Sequence, residues 1–304
     1  MSDLVVDVQN LSRSFGDKLA LDCFSLQIPH GCVFGLVGEN GAGKTTLLKH
    51  LLGLYSAQKG SVSVFGLNPA DEPVAVLSRI GYLSEDREMP TWMRVGELIK
   101  YRGAFFETWD ASYAEELRKT FDLNAKQKVK SLSRGQLARV GLILALAHRP
   151  DLLLLDEPSS GLDPVVRRDI LAAIIRTVAD EGRTVLFSSH LLDEVQRVSD
   201  HVAMVNAGKL VLTAPIEEVL QTHVRLTVRF SSPRDTAPAI GSALSCHGEG
   251  SEWTVLCNGQ REAVRKEIEA VQGEVVEEAS PTLDEIFVAR IGGRVTAPAE
   301  TEED

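Results

Sequence analysis

Nine residues, Gly38-Glu39-Asn40-Gly41-Ala42-Gly43-Lys44-Thr45-Thr46, restrict this chain more than any other part of it. They satisfy G-x-x-x-x-G-K-[ST] at every fixed position. They also stand between an apolar run, Val33–Val37, and a helix-like one, Leu47–Leu52. Glycines at this spacing let the backbone curl until successive N–H groups converge on a phosphate, aided by the positive end of the following helix. Lys44 is placed to reach the β- and γ-phosphates, and the Thr45 hydroxyl to hold Mg²⁺. A glycine-rich turn with a stray lysine is the alternative, but it leaves the strand–loop–helix order unexplained. The stretch implies a nucleoside triphosphate site.

The rest of the composition narrows the class. At 304 residues the chain has material for one large domain and a small one. Its 44% hydrophobic and 25% charged residues are those of an ordinary globular protein. A net charge of −11 argues against nucleic acid as the main partner. Cys23, Cys32, Cys246 and Cys257 show no C-x-x-C spacing, so they are expected to be buried apolar thiols. No run approaches the ~18 apolar residues that a bilayer span needs. Met1-Ser2-Asp3-Leu4 does not begin a charged-then-apolar secretory signal. A cytoplasmic protein is expected, reaching a membrane only through a partner.

Periodicity suggests an α/β fold. Leu4–Val8 and Leu19–Ile28 read as short strands, the second broken by turn residues, and Ser61–Phe65 alternates as a half-buried strand. From about 86 to 150 the pattern is helical. Strand signals return at Leu152–Leu155, Thr184–Ser188 and His201–Val205, separated by helical stretches at Pro164–Ala179 and Leu192–Arg197. Such alternation predicts a mainly parallel sheet, here interrupted by a helical insert and preceded by antiparallel strands. Asp163-Pro164 reads as an N-cap followed by proline at the first helical position. Past Gln221 the character changes: Val224–Phe230, Trp253–Cys257 and Glu274–Glu277 read as strands, and Arg261–Val271 as an amphipathic helix. The expected organisation is a nucleotide-binding domain over 1–220, a small α+β domain over 221–292 and a disordered acidic tail over 293–304.

Two further motifs carry chemistry. Leu152–Leu155 followed by Asp156-Glu157 is an apolar strand ending in two acids, at the strand end where α/β sheets bind ligands. The first acid is suited to Mg²⁺ and the second to deprotonating an attacking water. Leu132-Ser133-Arg134-Gly135-Gln136 precedes the apolar helix Leu137–Ala147 and forms a second small-residue turn at a helix start. Taken alone it would only cap that helix, or else bind an anion.

Together these residues resemble the nucleotide-binding subunit of an ATP-binding cassette (ABC) transporter, over roughly residues 4–218. Gly38–Thr46 is similar to the Walker A loop, Leu132–Gln136 to the signature, Leu152–Glu157 to Walker B, Ser159-Ser160-Gly161-Leu162-Asp163 to the D-loop, and His190, after Ser188-Ser189, to the switch histidine. The resemblance implies a P-loop ABC cassette that binds ATP with Gly38, Asn40, Gly41, Ala42, Gly43, Lys44, Thr45 and Thr46, with Phe15 stacked on adenine. It implies that two cassettes close head to tail, so that Ser133, Gly135 and Gln136 complete the partner's ATP site and Asp163 ties the two sites together. Glu157 would be the general base and His190 a γ-phosphate contact, with Thr45, Asp156 and Glu85 around Mg²⁺. Two residues depart from the usual pattern: Glu85 stands where the family has glutamine, and Arg134 where its signature has glycine. The Arg134 guanidinium either favours neighbouring phosphates or faces solvent.

The implied partners are a second ABC subunit and a separately encoded integral-membrane permease, with the subunit on the cytoplasmic face of the membrane. Glu88–Phe106, with Met89, Trp92, Met93, Tyr101, Phe105 and Phe106, is the expected docking segment, internal packing being the other reading of its apolar residues. Ser280–Phe287 resembles the tail of bacterial exporter ATPase subunits, which points to export. The alternative is a non-transport ABC ATPase acting on a macromolecular complex. Replacing Lys44→Ala is expected to abolish or severely weaken ATP binding, and near-normal affinity in a nucleotide titration would refute its phosphate role.

Overall fold

A computed structural model describes residues 4–179 and 182–292. The acidic segment 293–304, expected to be disordered, lies outside the described residues. The chain divides into two compact units, Met1–Thr213 and Ala214–Asp304.

In the first unit, β1 (Leu4–Phe15) and β2 (Lys18–Pro29) form a hairpin. The chain continues through β3 (Val33–Val37), α1 (Lys44–Leu51), β4 (Lys59–Val64), α2 (Pro73–Leu77) and β5 (Ile80–Leu83). The helical insert follows: α3 (Val95–Gly103), α4 (Ala111–Thr120), a 3₁₀ turn (Val129–Ser131) and α5 (Arg134–Leu146). Then come β6 (Leu152–Leu155), α6 (Pro164–Ala179), β7 (Thr184–Ser189), α7 (Leu192–Val198), β8 (His201–Asn206) and β9 (Lys209–Pro215). One sheet has the order β2-β1-β4 and is antiparallel; the other has the order β5-β6-β7-β3-β8-β9 and pairs in parallel from β5 to β8. Sequence reading shortens β1 and misses β9, because their polar, partly exposed residues blur the alternation.

Parallel strands covered on both faces lose alternation and become uniformly apolar. Every residue of β3, β6 and β7 is accordingly buried. The main core lies where α1 meets the two sheets, with Leu21, Phe24, Leu36, Leu48 and Leu51 at most 1% exposed. At ~25 cal/mol per Å², each such side chain contributes roughly 1.5–3 kcal/mol, so the strand ends that carry the site residues are firmly held.

The second unit begins with α8 (Ile216–Thr222), followed by β10 (His223–Arg234), β11 (Ser245–Asn258), α9 (Arg261–Ala270), β12 (Gly273–Ala279) and α10 (Leu283–Ile291). Its antiparallel sheet has the order β11-β10-β12, with Leu226, Val228 and Val255 fully buried beside Val264 and Ile268 of α9. The division between units falls before α8, ahead of the expected boundary near residue 220. The reason is that α8 is tied to the second unit: the His223 ring meets the Val219 carbonyl, and the Thr222 carbonyl accepts a bond from the Gly259 amide. The helix α10 starts with a capping box, in which Thr282 Oγ1 accepts from the Glu285 amide and the Glu285 carboxylate accepts from the Thr282 amide.

One expectation about the cysteines is corrected. Cys32, Cys246 and Cys257 are buried, but Cys23 is exposed. The register slips between Leu11↔Phe24 and Arg13↔Leu21, and Cys23 takes φ 48°, which turns its side chain out of the core. Among the described residues, no helix is long and apolar enough to cross a membrane.

Beneath the insert, His148 is 1% exposed, its Nε2 is 3.0 Å from the Ile80 carbonyl and its ring lies on Phe106 at 3.9 Å. Burial pushes its pKa from 6.5 to about 4, so the folded protein holds it neutral. A depressed histidine contributes stability above the unfolded value that is lost as pH falls from 6.5 through about 4. His148→Gln is expected to flatten that part of a melting-temperature profile against pH, leaving the smaller shares of His50 and His223, which burial also lowers. An unchanged slope would assign the acid sensitivity elsewhere.

Candidate functional site at the phosphate loop

The phosphate loop leaves the buried strand β3 and enters α1, whose first residue is Lys44. Its glycines are required by space as well as by backbone angle. A Cβ on Gly38 would sit 2.4 Å from the Val205 carbonyl oxygen; one on Gly43, at φ 113°, would sit 2.6 Å from that of Ala20. The loop thus curls against β8 and β2 and leaves the first amides of α1 facing a cavity of about 310 Å³. Lining that cavity are Phe15, Asn40, Gly41, Gly43, Lys44, Thr45, Thr46, Glu85 and Glu157. Lys18 and Ala20 complete the wall. Gly38 and Ala42 support the loop from behind, Ala42 being 4% exposed.

At its centre is a buried ion pair. Lys44 Nζ donates to the carbonyls of Gly38 (2.6 Å) and Glu39 (3.2 Å) and lies 3.0 Å from Glu157 Oε1, both side chains being 5% exposed. Glu157 Oε2 meets His190 Nδ1 at 2.7 Å and accepts from the His190 amide at 3.3 Å. The Glu157 carboxylate is therefore gripped from both sides, by the phosphate-loop lysine and by the histidine after β7. Glu157 itself has φ 45°, a strained angle for a side-chain-bearing residue.

Asp156, 2% exposed, accepts a 2.8 Å bond from Ser188 Oγ. Ser188 Oγ also receives the Glu157 amide at 2.9 Å. Burial pushes the Asp156 carboxyl up, opposed by hydrogen bonds from Ser188 and Thr45 and by the charge of Lys44. Asp156 and Thr45 so present an all-oxygen donor pair beside the phosphate loop, the set a hard divalent cation takes. The exposed Glu85 lies on the same cavity wall.

Phe15 is 41% exposed at the mouth of the cavity, edge-on to Tyr55 at 5.4 Å with the Arg13 guanidinium 4.9 Å from its ring centre. An exposed aromatic ring held this way offers a face to a planar base.

Ser133, Gly135, Gln136 and Asp163 are not brought to this cavity. Ser133 is exposed and caps α5: its Oγ accepts from the Gln136 amide at 3.2 Å, and Gln136 Oε1 accepts from the Ser133 amide at 3.0 Å. Gly135 abuts α6, where a Cβ would come within 2.7 Å of Val166. Asp163 is exposed and caps α6 through the amides of Val165 and Val166. Arg134 is exposed, with Nη1 3.4 Å from the position a Cβ on Gly161 would take, so it leans over the loop between β6 and α6.

Sequence reading misses several supporting residues. Ser188 is beside Asp156 because β6 and β7 pair in register, Leu155 with Phe187; a serine at the end of an apolar strand is the available signal. Ser159 donates to the buried Glu194, which pairs with Arg167 at 3.0 Å. Arg87 donates to carbonyls of the loop after β6. Neither contact has a local sequence signature.

Fold and site define a P-loop nucleoside triphosphatase of the cassette type. The sequence profile described as ABC transporter matches residues 21–160. ABC transporter ATP-binding protein YhaQ of Bacillus subtilis is 30% identical over 303 residues, which cover 95% of this chain and 99% of that protein. Nod factor export ATP-binding protein I of Sinorhizobium fredii is 29% identical over 303 residues, covering 96% and 87%. A solved structure of the ATP-binding subunit of an ABC transporter superposes with a TM-score of 0.66 at 24% identity, over 71% of this chain and 92% of that one, a likeness of fold. The chain belongs to the family of ABC transporter ATP-binding proteins. It is an ATP-binding, ATP-hydrolysing subunit of that class, which sets aside the non-transport alternative.

Because a buried carboxylate with a raised pKa is a standing cost at neutral pH, Asp156→Asn is expected to raise the melting temperature of the nucleotide-free protein while suppressing hydrolysis. Calorimetry and a phosphate-release assay check both parts; a lowered melting temperature would show that Asp156 is held chiefly by its hydrogen bonds.

Proposed function

We propose that this subunit closes head to tail with a second cassette, ATP at each interface, and that closure drives a separately encoded membrane permease in the export direction. One observation carries the reading: Ser133 and Gly135, on a small-residue turn at the start of a buried helix, lie outside the cavity that holds Lys44 and Glu157. A helix start with an exposed serine, apart from the chain's own phosphate loop, suits the ATP of a partner.

In this reading Lys44 exchanges its bonds to the Gly38 and Glu39 carbonyls and to Glu157 for bonds to phosphate oxygens. That exchange frees Glu157 Oε1 to accept the proton of the attacking water, while His190 holds Oε2. Thr45 and Asp156 would hold Mg²⁺, with Glu85 beside them; the ion would supply charge neutralisation on the phosphates. Phe15 stacks on adenine, and Asp163 stands at the dimer interface.

The permease surface in this proposal is the outer side of the insert. Trp92, Tyr101 and Phe105 are 72%, 51% and 63% exposed. Tyr101 and Phe105 line a cavity of about 450 Å³, and Phe105 borders a neighbouring apolar one of about 410 Å³ with Leu54, Val74 and Leu77. Met93, at 9% exposure, belongs to the insert's own packing and leaves this list, while Phe106, stacked on His148, also borders the apolar cavity. Such a surface would seat an apolar segment of a membrane protein and hold the subunit at the cytoplasmic face. Export is supported by the similarity to Nod factor export ATP-binding protein I. The acidic net charge of −11 gives no support to a nucleic-acid partner.

Glu157→Gln is expected to keep ATP affinity, to slow turnover by about 100-fold or more, and to accumulate an ATP-dependent dimer on size-exclusion chromatography. Wild-type turnover would remove Glu157 from the role of base, and a monomer at saturating ATP would overturn the shared site.

A further inference from the structure

We propose that Arg87 is a positioning residue for ATP hydrolysis, its guanidinium holding the backbone turn that aims the Glu157 carboxylate. Arg87 is 9% exposed and follows β5 by four residues, on the same loop as Glu85. Its Nη2 donates to the Pro158 carbonyl at 2.8 Å and the Ser160 carbonyl at 3.2 Å, and lies 3.5 Å from that of Glu157. Carbonyls from the stretch of chain just after Asp156 thus converge on one nitrogen. The turn they form needs holding: Glu157 has a left-handed φ of 45° and precedes a proline, a position that normally favours extended backbone.

A charge this deeply buried is a costly way to satisfy carbonyls, since a neutral amide would do so without losing an ion's hydration. Among the described residues no carboxylate forms an ion pair with Arg87. Its electrostatic neighbours are the two residues that depart from the family pattern: Glu85 attracts the guanidinium and Arg134 repels it. Arg87 also borders both surface cavities of the insert, about 570 Å³ beside Leu132 and about 450 Å³ beside Phe105. The loop that grips the catalytic turn is therefore the loop that lines the outer surface.

The inference rests on Glu157 as base, and the test separates the two. In the full-length protein, Arg87→Ala is expected to lower kcat by about tenfold or more with KM for ATP within about twofold, since the group orients the base and touches no nucleotide. Millimolar guanidinium ion should restore part of that loss, and Arg87→Lys, with a shorter, non-planar donor, should fall between. Added to Glu157→Gln, Arg87→Ala should cause little further loss, because both act on one group. Wild-type kcat in a folded Arg87 variant overturns the proposal, as does a fully additive loss on top of Glu157→Gln. If Arg87→Ala and Arg87→Lys both fail to melt cooperatively, Arg87 serves the fold and the proposal also fails. If Glu157→Gln turns over normally, the base assignment fails by itself.

Discussion

Lys44 and Glu157 form the constraint on which the site depends. Two opposite charges, each 5% exposed, meet at 3.0 Å on the wall of the phosphate-loop cavity. Removing one partner of such a pair typically costs about 3–5 kcal/mol, because the other charge stays buried without compensation. The pair is tolerable because each member has further partners: two carbonyls for Lys44, and His190 for Glu157. Phosphate oxygens are chemically equivalent acceptors for Lys44. In the proposed mechanism, binding replaces the pair without leaving an orphan charge and releases the carboxylate for proton transfer.

The residues of the pair meet because the sheet holds its parts in register. β3 delivers the phosphate loop, β6 the two acids, and β7 both Ser188 and His190, with β7 hydrogen-bonded to each of the other two. Segments far apart in the chain end at one edge because parallel strands carry their loops to the same end. Ser188 is the joint between them, bridging the Asp156 carboxylate and the Glu157 amide. Its hydroxyl fixes one acid while the backbone of the next is turned into a left-handed angle.

Ser133 and Asp163 face outwards. Ser133 and Gln136 cap each other, and Asp163 caps α6, so these residues already have structural work. A capped helix start is also an anion site, because the cap orders the amides that an anion would meet. Structural and functional readings of the signature are thus compatible.

The phosphate loop, the acid pair and the signature are legible in the sequence because each is a local pattern whose residue types are dictated by phosphate chemistry. The α/β class follows from apolar strands alternating with helices. Long hairpins such as β10 and β11 read short, since their exposed halves carry polar residues on both faces. Cys23 is misplaced because a bulge reverses the face of one residue without any mark in the sequence. What the amino-acid order determines by itself is which groups can bind and cleave a triphosphate. Tertiary structure alone decides which of them meet: Arg87 beneath the Glu157 turn, seventy residues away, Ser188 between the acids, and Ser133 apart from Lys44. Such contacts arise from strand register and loop closure, which depend on distant segments and leave no periodic trace in either partner.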